Sequence, residues 1–215
     1  QIANYSVNNK NYLVTANEGD EKEYTPLNER TTVSAVTLDS SNFPNRKMLK
    51  EDHSLGRLRI TNLHGDNDGD GDYDELYMVG PRSFSIYDLT NNSMVFNSGD
   101  AFELITSQNT TFGKLFNADN EASNTLKARS RSKGPEPEGV TVSTIGDKTY
   151  AFITLERIGG VMVYDITNPS TPIYVDYKNT RNATAFGGDN GPEGIIYIQP
   201  SHSPTGKPMI ISTGM

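Results

Sequence analysis

Internal repetition restricts the fold of this 215-residue chain more than any other feature of its sequence. Residues 12–18 and 150–156 share an alternating apolar pattern that is followed by an acid, and residues 207–215 resemble a copy that stops before the acid. Residues 84–91 resemble residues 161–168, where a strand pattern ends in a turn built from Asp, Thr and Asn. The chain therefore consists of recurring strand units.

A further repeat places Pro and Gly around a Glu directly before an apolar run, at residues 134–140 and 191–195. Pro and Gly fix tight turns. The order strand, hairpin, strand and turn is typical of a β-propeller blade. At about 40 to 50 residues per blade, residues 1–215 are predicted to be a single all-β propeller domain, or a fragment of one, with about four to five blades of a larger closed propeller. A β-sandwich with coincidentally similar strands is the alternative.

Composition agrees with short strands and limits the partners. Hydrophobic residues make up 34% of the chain, Trp is absent, and 19 Gly and 11 Pro interrupt the apolar runs. The formal net charge of -8 disfavours binding to nucleic acid and favours cations. The absence of Cys excludes disulfides and thiolate metal sites. No apolar run is long enough to cross a bilayer, and Gln1 does not open a signal peptide, so we expect any leader to have been removed already.

The most specific motif is the acidic stretch at residues 65–75, which fits the spacing Asp-x-Asp-x-Asp-Gly-x-x-Asp. Calcium accepts six to eight oxygens, and a Gly at the sixth position permits the bend that turns these oxygens inward. Tyr77 stands where a helical EF-hand has a bidentate Glu, and the flanks alternate like strands, so we predict a calcium-filled β-hairpin over residues 57–80. A solvated acidic turn is the alternative. The predicted calcium ligands are Asp66, Asp68, Asp70, Asp72 and Asp74.

Repeated glutamates flank the strands that are predicted to line a central channel. A ring of acids around the axis would hold a second cation, which would lower their mutual repulsion. Alternatively, the glutamates in the Pro-Gly turns only accept backbone hydrogen bonds. The candidates for this second metal or channel site are Glu18, Glu138, Glu156 and Glu193.

Basic residues alternate with small ones over residues 127–133. Guanidinium groups match the oxygens of phosphate, sulfate and acidic glycans, so this segment is a candidate anion site. A mobile, solvated loop is the alternative. The candidate anion-binding residues are Lys127, Arg129, Arg131, Lys133 and Arg157.

The sequence contains no complete catalytic constellation, and we predict no catalytic residue. The histidines, His53, His64 and His202, have no partner at metal-ligand spacing. Neither a Gly-x-Ser-x-Gly elbow nor a phosphate-binding loop is present. A calcium-dependent phosphoesterase remains the alternative, with the channel carboxylates as metal ligands and Arg157 or the basic segment binding the phosphate.

Glycosylation signals favour an extracellular protein. Acceptor sequons occur in turn-rich sequence, although an Asn- and Thr-rich chain also produces such triplets by chance. The predicted N-glycosylation sites are Asn4, Asn91, Asn109 and Asn182.

Six ordered motifs resemble the mesenchyme-specific cell surface glycoprotein family of biomineralising invertebrates. Similar motifs occur in bacterial relatives that are labelled alkaline-phosphatase-like or anchored secreted proteins. The motifs lie at residues 12–20, 65–77, 82–88, 134–140, 156–165 and 191–195.

The resemblance implies a secreted or surface-anchored propeller glycoprotein at a calcium-rich skeleton or matrix. The expected partners are calcium ions, mineral, acidic glycans, other matrix proteins and the remaining blades of a longer chain. Two departures from the family, the basic run at residues 127–133 and the end of the chain before the later blades, weaken any transfer of a phosphatase site. The leading hypothesis is a calcium-binding extracellular or cell-surface matrix glycoprotein with a role in biomineralisation or adhesion.

Overall fold

A computed structural model describes residues 1–214. Strands make up 35% of the chain and helices 10%, so the predicted all-β class is confirmed. The chain divides into two compact units. The main unit comprises Gln1–Glu18, Arg82–Arg129 and the residues from Gly134 onward, and the inserted unit comprises Gly19–Pro81 and Ser130–Lys133.

The elements are short. In chain order the strands are β1 (Ile2–Val7), β2 (Lys10–Asn17), β3 (Glu23–Tyr24), β4 (Leu27–Asn28), β5 (Arg30–Thr32), β6 (Arg59–Thr61), β7 (Ser83–Asp88), β8 (Ser93–Asn97), β9 (Pro137–Ile145), β10 (Lys148–Leu155), β11 (Val161–Asp165), β12 (Ile173–Lys178), β13 (Ile195–Ile198) and β14 (Met209–Ser212). The α-helices are α1 (Arg46–Leu49) and α2 (Ala101–Gln108), and 3-10 turns lie at Val33–Ala35, Gly113–Leu115 and Pro200–His202. Within residues 1–214, no helix has the length and apolar character that crossing a bilayer requires.

The first sheet of the main unit is antiparallel, in the order β1, β2, β7, β8. Asn8 and Asn9 join β1 to β2 with positive φ angles of 51° and 60°, as a two-residue type I′ hairpin turn requires. Along β2, the buried residues Tyr12, Val14 and Ala16 alternate with more exposed ones. Because successive side chains of a strand point to opposite faces, this alternation places one face of the sheet in the core.

The second sheet contains β9, β10, β11 and β12 as consecutive antiparallel neighbours. Its register reproduces that of the first sheet. Tyr12 pairs with Asp88 between β2 and β7, and Tyr150 pairs with Asp165 between β10 and β11. The two repeats found in the sequence therefore occupy equivalent strands of two equivalent sheets.

A third sheet is formed by β13 and β14. Ile195 pairs with Ser212 in this sheet, as Val140 pairs with Ile153 between β9 and β10. In addition, β13 packs against β9 and β10, as β9 packs against β1 and β2. The further copies of the repeats therefore begin a third sheet. Met215, the last residue of the copy at residues 207–215, lies outside the described residues.

The prediction of about four to five blades is wrong for the described residues. In the main unit these contain two four-stranded sheets and the two strands of a third. The count failed because Gly19–Pro81, between β2 and β7, fold with Ser130–Lys133 as the inserted unit and add no further four-stranded sheet. Repeat length alone cannot separate such an insertion from a blade.

The core of the main unit is built around aromatic side chains from different elements. Phe84 on β7 is fully buried and packs against Tyr164 of β11, with 4.8 Å between the ring centroids. It also packs against Phe102 of α2 at 5.8 Å. Tilted and stacked ring pairs at these distances stabilise a core beyond the area that they bury.

The inserted unit has its own small core of Val33, Leu38 and Ile60. The hairpin predicted over residues 57–80 takes a different form in it. β6 pairs with β5, and the N–H of Thr61 at its end also donates to the backbone oxygen of Tyr77 at 3.0 Å, but the residues after the acidic loop form no regular strand. This pairing buries Ile60 against the other two core residues, so burial of apolar surface decides the partner of β6.

Candidate functional site

The acidic loop of the inserted unit brings three of the predicted calcium ligands together. Asp66, Asp68 and Asp74 each offer a carboxylate oxygen, and these oxygens lie within 4.8 Å of one another. The carboxylate of Asp66 also accepts the N–H groups of Gly69 at 2.7 Å and Gly71 at 3.1 Å. The loop therefore curls around the Asp66 side chain, and its carboxylates converge.

The other two predicted ligands, Asp70 and Asp72, lie outside this group of three. Oδ1 of Asp70 accepts the N–H of Asp72 at 3.0 Å, and Oδ1 of Asp68 accepts the N–H of Asp70 at 3.3 Å. Gly71, the sixth residue of the motif, has a φ of 95°, a conformation that side chains disfavour. Hydrogen bonds that the carboxylates accept from the loop backbone thus shape the turn that the motif predicts.

A neighbouring segment holds the end of the acidic loop. Nδ2 of Asn42 donates to Oδ1 of Asp74 at 3.3 Å and to its backbone oxygen at 3.4 Å. Oδ1 of Asp39 in turn accepts the N–H of Asn42 at 2.6 Å, and the N–H of Asp39 donates to the oxygen of Tyr73 at 3.0 Å. These contacts fix the position of Asp74.

Negative charge accumulates around the loop. Loss of solvent raises the pKa of Asp72 above its ordinary value, and repulsion from Asp70, Asp39, Asp74 and Asp68 raises that pKa further. A divalent cation is the kind of ligand that removes such repulsion. The loop therefore has the oxygen ligands and the charge that suit a hard divalent cation.

In the main unit, three of the predicted glutamates, Glu18, Glu138 and Glu193, converge on the fourth, Glu156. Carboxylate oxygens of Glu138, Glu156 and Glu193 lie within 4.8 Å of one another, and so do oxygens of Glu18, Glu136 and Glu156. Glu18 and Glu156 directly follow the equivalent strands β2 and β10, while Glu138 lies in β9. The spatial equivalence of the sheets therefore brings together acids that are up to 175 residues apart in sequence, from Glu18 to Glu193.

Two arginines contact this glutamate cluster. Glu136 is fully buried, and its carboxylate lies 2.7 Å from Nη2 of Arg129 and 3.0 Å from Nε of Arg157. Arg157 also lies 3.3 Å from Glu156 and 2.9 Å from Glu121. A buried carboxylate needs such partners because removing a charge from water is costly. Both guanidinium groups are therefore engaged with carboxylates.

The ionisation of Glu156 reflects its place in the cluster. Burial raises the pKa of Glu156 to about 7. The charge of Arg157 opposes this rise, whereas the carboxylates of Glu136, Glu138 and Glu18 add to it. Near neutral pH, Glu156 can therefore carry a proton or exchange it for a cation.

The remaining predicted anion-binding residues are divided between the two units. In the inserted unit, Nζ of Lys133 donates to the backbone oxygen of Gly19 at 3.1 Å and lies 3.5 Å from Asp20. Arg131 in the same unit is exposed, and so is Lys127 in the main unit. The basic segment thus contributes to different local contacts.

The sequon asparagines lie at the edges of the main unit. Asn4 is on β1, Asn91 is between β7 and β8, Asn109 follows α2, and Asn182 follows β12. The first, second and fourth of these are exposed, whereas Asn109 is half-buried. The exposed positions leave room for an oligosaccharide in solvent.

Sequence reasoning missed Glu136, Asp39 and Asn42. Glu136 has no counterpart in the shorter repeat at residues 191–195, so comparing the repeats could not select it. Asp39 and Asn42 carry only the weak signal of a capped turn, and they lie far from the acidic motif in sequence. Only tertiary contacts identify these residues.

Residues 1–169 match the profile of the Choice-of-anchor I domain family. The chain is 32% identical over 181 residues to Gigasin-3a of Magallana gigas, which covers 77% of this chain and 63% of that protein. It is 24% identical over 198 residues to the Mesenchyme-specific cell surface glycoprotein of Strongylocentrotus purpuratus, which covers 76% of this chain and 25% of that protein. The chain thus spans less than two thirds of the length of either relative. No solved structure matches it. None of these names mentions a phosphatase.

Proposed function

Because the chain belongs to the Choice-of-anchor I domain family, we propose that it is a calcium-binding domain of an extracellular or cell-surface glycoprotein. An extracellular or surface location is supported by the name of the sea urchin relative, a cell surface glycoprotein, and by the description of the family as an anchor domain. A role in biomineralisation or adhesion, with mineral, acidic glycans or other matrix proteins as partners, is part of the same proposal. This role rests on the resemblance of the six sequence motifs to the mesenchyme-specific cell surface glycoprotein family.

The observation that carries the calcium proposal is the convergence of Asp66, Asp68 and Asp74 within 4.8 Å of one another. Calcium binds six to eight oxygens at flexible angles, so three carboxylates supplemented by backbone oxygens and water suit it better than they suit magnesium, which demands octahedral geometry. The positive φ of Gly71 supports the same assignment, because the calcium motif requires a sharp turn at this position. Asp70 and the backbone of Asp72 are the further ligands that we assign to the ion.

Calorimetric titration of the chelator-treated chain with calcium tests this site. We expect a dissociation constant of about 10⁻⁴ to 10⁻³ M, the range of extracellular calcium modules. Replacing one ligand, Asp68→Asn, should weaken binding at least about tenfold, because each ligand charge contributes to affinity. Asp147→Asn is the matched control, since it removes an exposed carboxylate in the turn between β9 and β10. Unchanged affinity in the Asp68→Asn variant, or no heat with the folded wild type, refutes the assignment.

A second cation position at Glu18, Glu138, Glu156 and Glu193 is a further part of the proposal. It is supported by the two groups of three carboxylates that share Glu156, the second completed by Glu136. Burial is the largest cause of the raised pKa of Glu156, and repulsion from the carboxylates of Glu136, Glu138 and Glu18 adds to it. The main-unit cluster is thus a candidate for a structural ion.

The alternative of a calcium-dependent phosphoesterase has less support. Such a site needs a cationic side chain that faces the phosphate. Arg157 lies against Glu136, Glu156 and Glu121, and Arg129 lies against Glu136. We therefore propose ion binding and not phosphate hydrolysis as the role of this cluster.

For the fold, we propose a β-propeller domain that carries the inserted unit between β2 and β7. The supporting observation is that β13 packs against β9 and β10 as β9 packs against β1 and β2. A propeller requires that each sheet packs against the next one in the same way. The remaining blades of a longer protein are the partners that would complete the ring.

N-glycosylation of the sequon asparagines belongs to the same proposal. Exposure of Asn4, Asn91 and Asn182 supports their use, whereas the half-buried Asn109 is the least accessible of the four. Oligosaccharides at these positions agree with an extracellular or cell-surface glycoprotein.

A further inference from the structure

The two complete sheets of the main unit differ in how well one face is covered. Val14 on β2 and Phe84 and Ile86 on β7 have no solvent exposure. The equivalent residues of the second sheet are half-buried. They are Phe152 on β10 and Val161 and Val163 on β11. The repeat therefore builds the same apolar face twice, and only the first copy is fully covered.

Contacts of the first face identify what covers it. Tyr164 of β11 packs on Phe84 at 4.8 Å between ring centroids, and Tyr164 and its neighbour on the same face, Met162, are both buried. Phe102 of α2 completes the contact with Phe84 at 5.8 Å. β11, the third strand of the second sheet, is thus an essential part of what covers the apolar face of the first sheet.

The third sheet lacks the corresponding strand among residues 1–214. β14 pairs with β13 on one side, and no described strand pairs with its other side. A cavity of about 620 Å³ lies beside β14, over the half-buried face of the second sheet. Its lining combines the apolar Phe152, Val161, Val163 and Ile210 with polar residues such as Asp189 and Asn190. An open strand edge next to a groove with apolar side chains on its wall is a template for adding another strand.

We propose that this groove and the open edge of β14 bind a β-hairpin that carries a further copy of the β11–β12 repeat. The first strand of the hairpin pairs antiparallel with β14 and places an apolar or aromatic side chain over Val161 and Val163, in the way Tyr164 covers Phe84. This interaction rests on the proposed propeller fold, but it does not depend on calcium binding at the acidic loop, which lies in the other unit.

The repeat also predicts the register of this hairpin. Tyr150 of β10 pairs with the Asp that ends β11, and the equivalent residue of β14 is Met209. The incoming strand should therefore place its terminal Asp opposite Met209. Because a shift of one residue would turn its apolar side chains away from the groove, a single register is expected.

A synthetic peptide with the sequence of residues 160–178 serves as the probe, because it is the copy of the repeat that this chain provides. Hydrogen exchange of the β14 amides is measured with and without the peptide. At a free peptide concentration of ten times the dissociation constant, exchange at the outward-facing amides of β14 should slow by about tenfold. A peptide with Ser in place of the residues copied from Met162 and Tyr164 should not slow exchange, since these side chains would face the groove.

Variants of the chain locate the binding site. Val163→Asp places a charge in the groove and should abolish the protection of β14 by the peptide, whereas Met94→Asp, at an exposed position on β8, should leave it unchanged. Because the Ser-containing peptide tests the same contact from the other side, the result does not depend on how well the Val163→Asp variant folds. Three outcomes overturn the proposal. These are unchanged exchange with the repeat peptide, equal protection by both peptides, and sedimentation of the free chain as a dimer whose β14 amides are already protected.

Discussion

At the residue scale, Glu156 links the parts of the main-unit cluster. It belongs to both groups of converging carboxylates, contacts Arg157 at 3.3 Å, and is buried. Its neighbour in sequence, Arg157, contacts Glu136, whose backbone oxygen accepts the N–H of Glu156 at 2.9 Å. A change of charge at Glu156 should therefore affect the stability of the main unit.

The raised pKa of Glu156 predicts a specific dependence of stability on pH. Its pKa is about 7 in the folded chain, above the ordinary value of 4.5. The contribution of Glu156 to stability is fully present below pH 4.5 and is lost as the pH rises towards 7, because the unfolded chain ionises first. We compare the unfolding free energies of the wild type and the Glu156→Gln variant in the presence of a chelator. The wild-type value should fall relative to that of the variant between pH 4.5 and pH 7. The fall should be smaller than about 1.4 kcal/mol per pH unit, which is the limit for one proton.

Urea denaturation between pH 4.5 and pH 8 measures this difference. Glu51→Gln, at an exposed position of the inserted unit, serves as the control and should follow the wild type at every pH. Millimolar calcium should flatten the slope if the proposed second ion binds, because a cation stabilises the carboxylate. A difference that is constant with pH would refute the role assigned to Glu156.

At the element scale, the repeat extends to polar contacts that the apolar pattern does not reveal. Lys10 lies 3.2 Å from Asp88 in the first sheet, and Lys148 lies 2.8 Å from Asp165 in the second. Each Asp also accepts the backbone N–H of the Thr two residues later, at 2.8 Å and 3.0 Å. Because Lys10 and Lys148 are half exposed at their side chains, these ion pairs contribute little to stability. Their main effect is to fix where each strand ends.

Equivalent positions of the two sheets should tolerate truncation differently. Phe84→Ala removes a fully buried ring between the sheets, so we expect a loss of about 3 to 5 kcal/mol of unfolding free energy. Val163→Ala removes fewer atoms from a half-buried position, so we expect a loss of about 1 kcal/mol. Chemical denaturation of both variants measures these losses. A loss of about 2 kcal/mol or more in the Val163→Ala variant, as expected of a fully buried Val, would contradict the difference in coverage on which the hairpin proposal depends.

At the scale of the whole molecule, the two units have separate cores and separate clusters of acids. The inserted unit contains Val33, Leu38 and Ile60 in its core and the acidic loop at its surface. The main unit contains the equivalent sheets and the glutamates around Glu156. Calcium at the acidic loop should therefore act mainly on the stability of the inserted unit.

Hydrogen exchange in calcium and in chelator tests this division. At calcium concentrations of about 100 times the dissociation constant, the inserted unit should gain about 2.7 kcal/mol of stability, which slows exchange over residues 19–81. The Asp68→Asn variant should lose this response and keep any response of the main unit. Equal loss of the calcium response in both units would show that the loop does not act locally.

The sequence by itself determined the features that depend on short-range chemistry. The spacing of Asp66, Asp68 and Asp74 and the glycine at position 71 gave the acidic turn, and the repeats gave the strands β2, β7, β10 and β11. Alternation of apolar residues and the backbone freedom of glycine are local properties, so they can be recognised without knowing which segments meet. The convergence of the repeated glutamates followed from the same repeats.

Only the tertiary structure decided which distant segments pair and which charges neutralise one another. It paired β6 with β5, assigned residues 19–81 to a separate unit, and brought Arg129 and Arg157 against Glu136. Burial of apolar surface is not directional, so a strand pattern does not name its partner. A charged side chain likewise gives no sign in sequence of whether it will face solvent, a ligand or another charge, since this depends on what the fold places within a few ångströms of it.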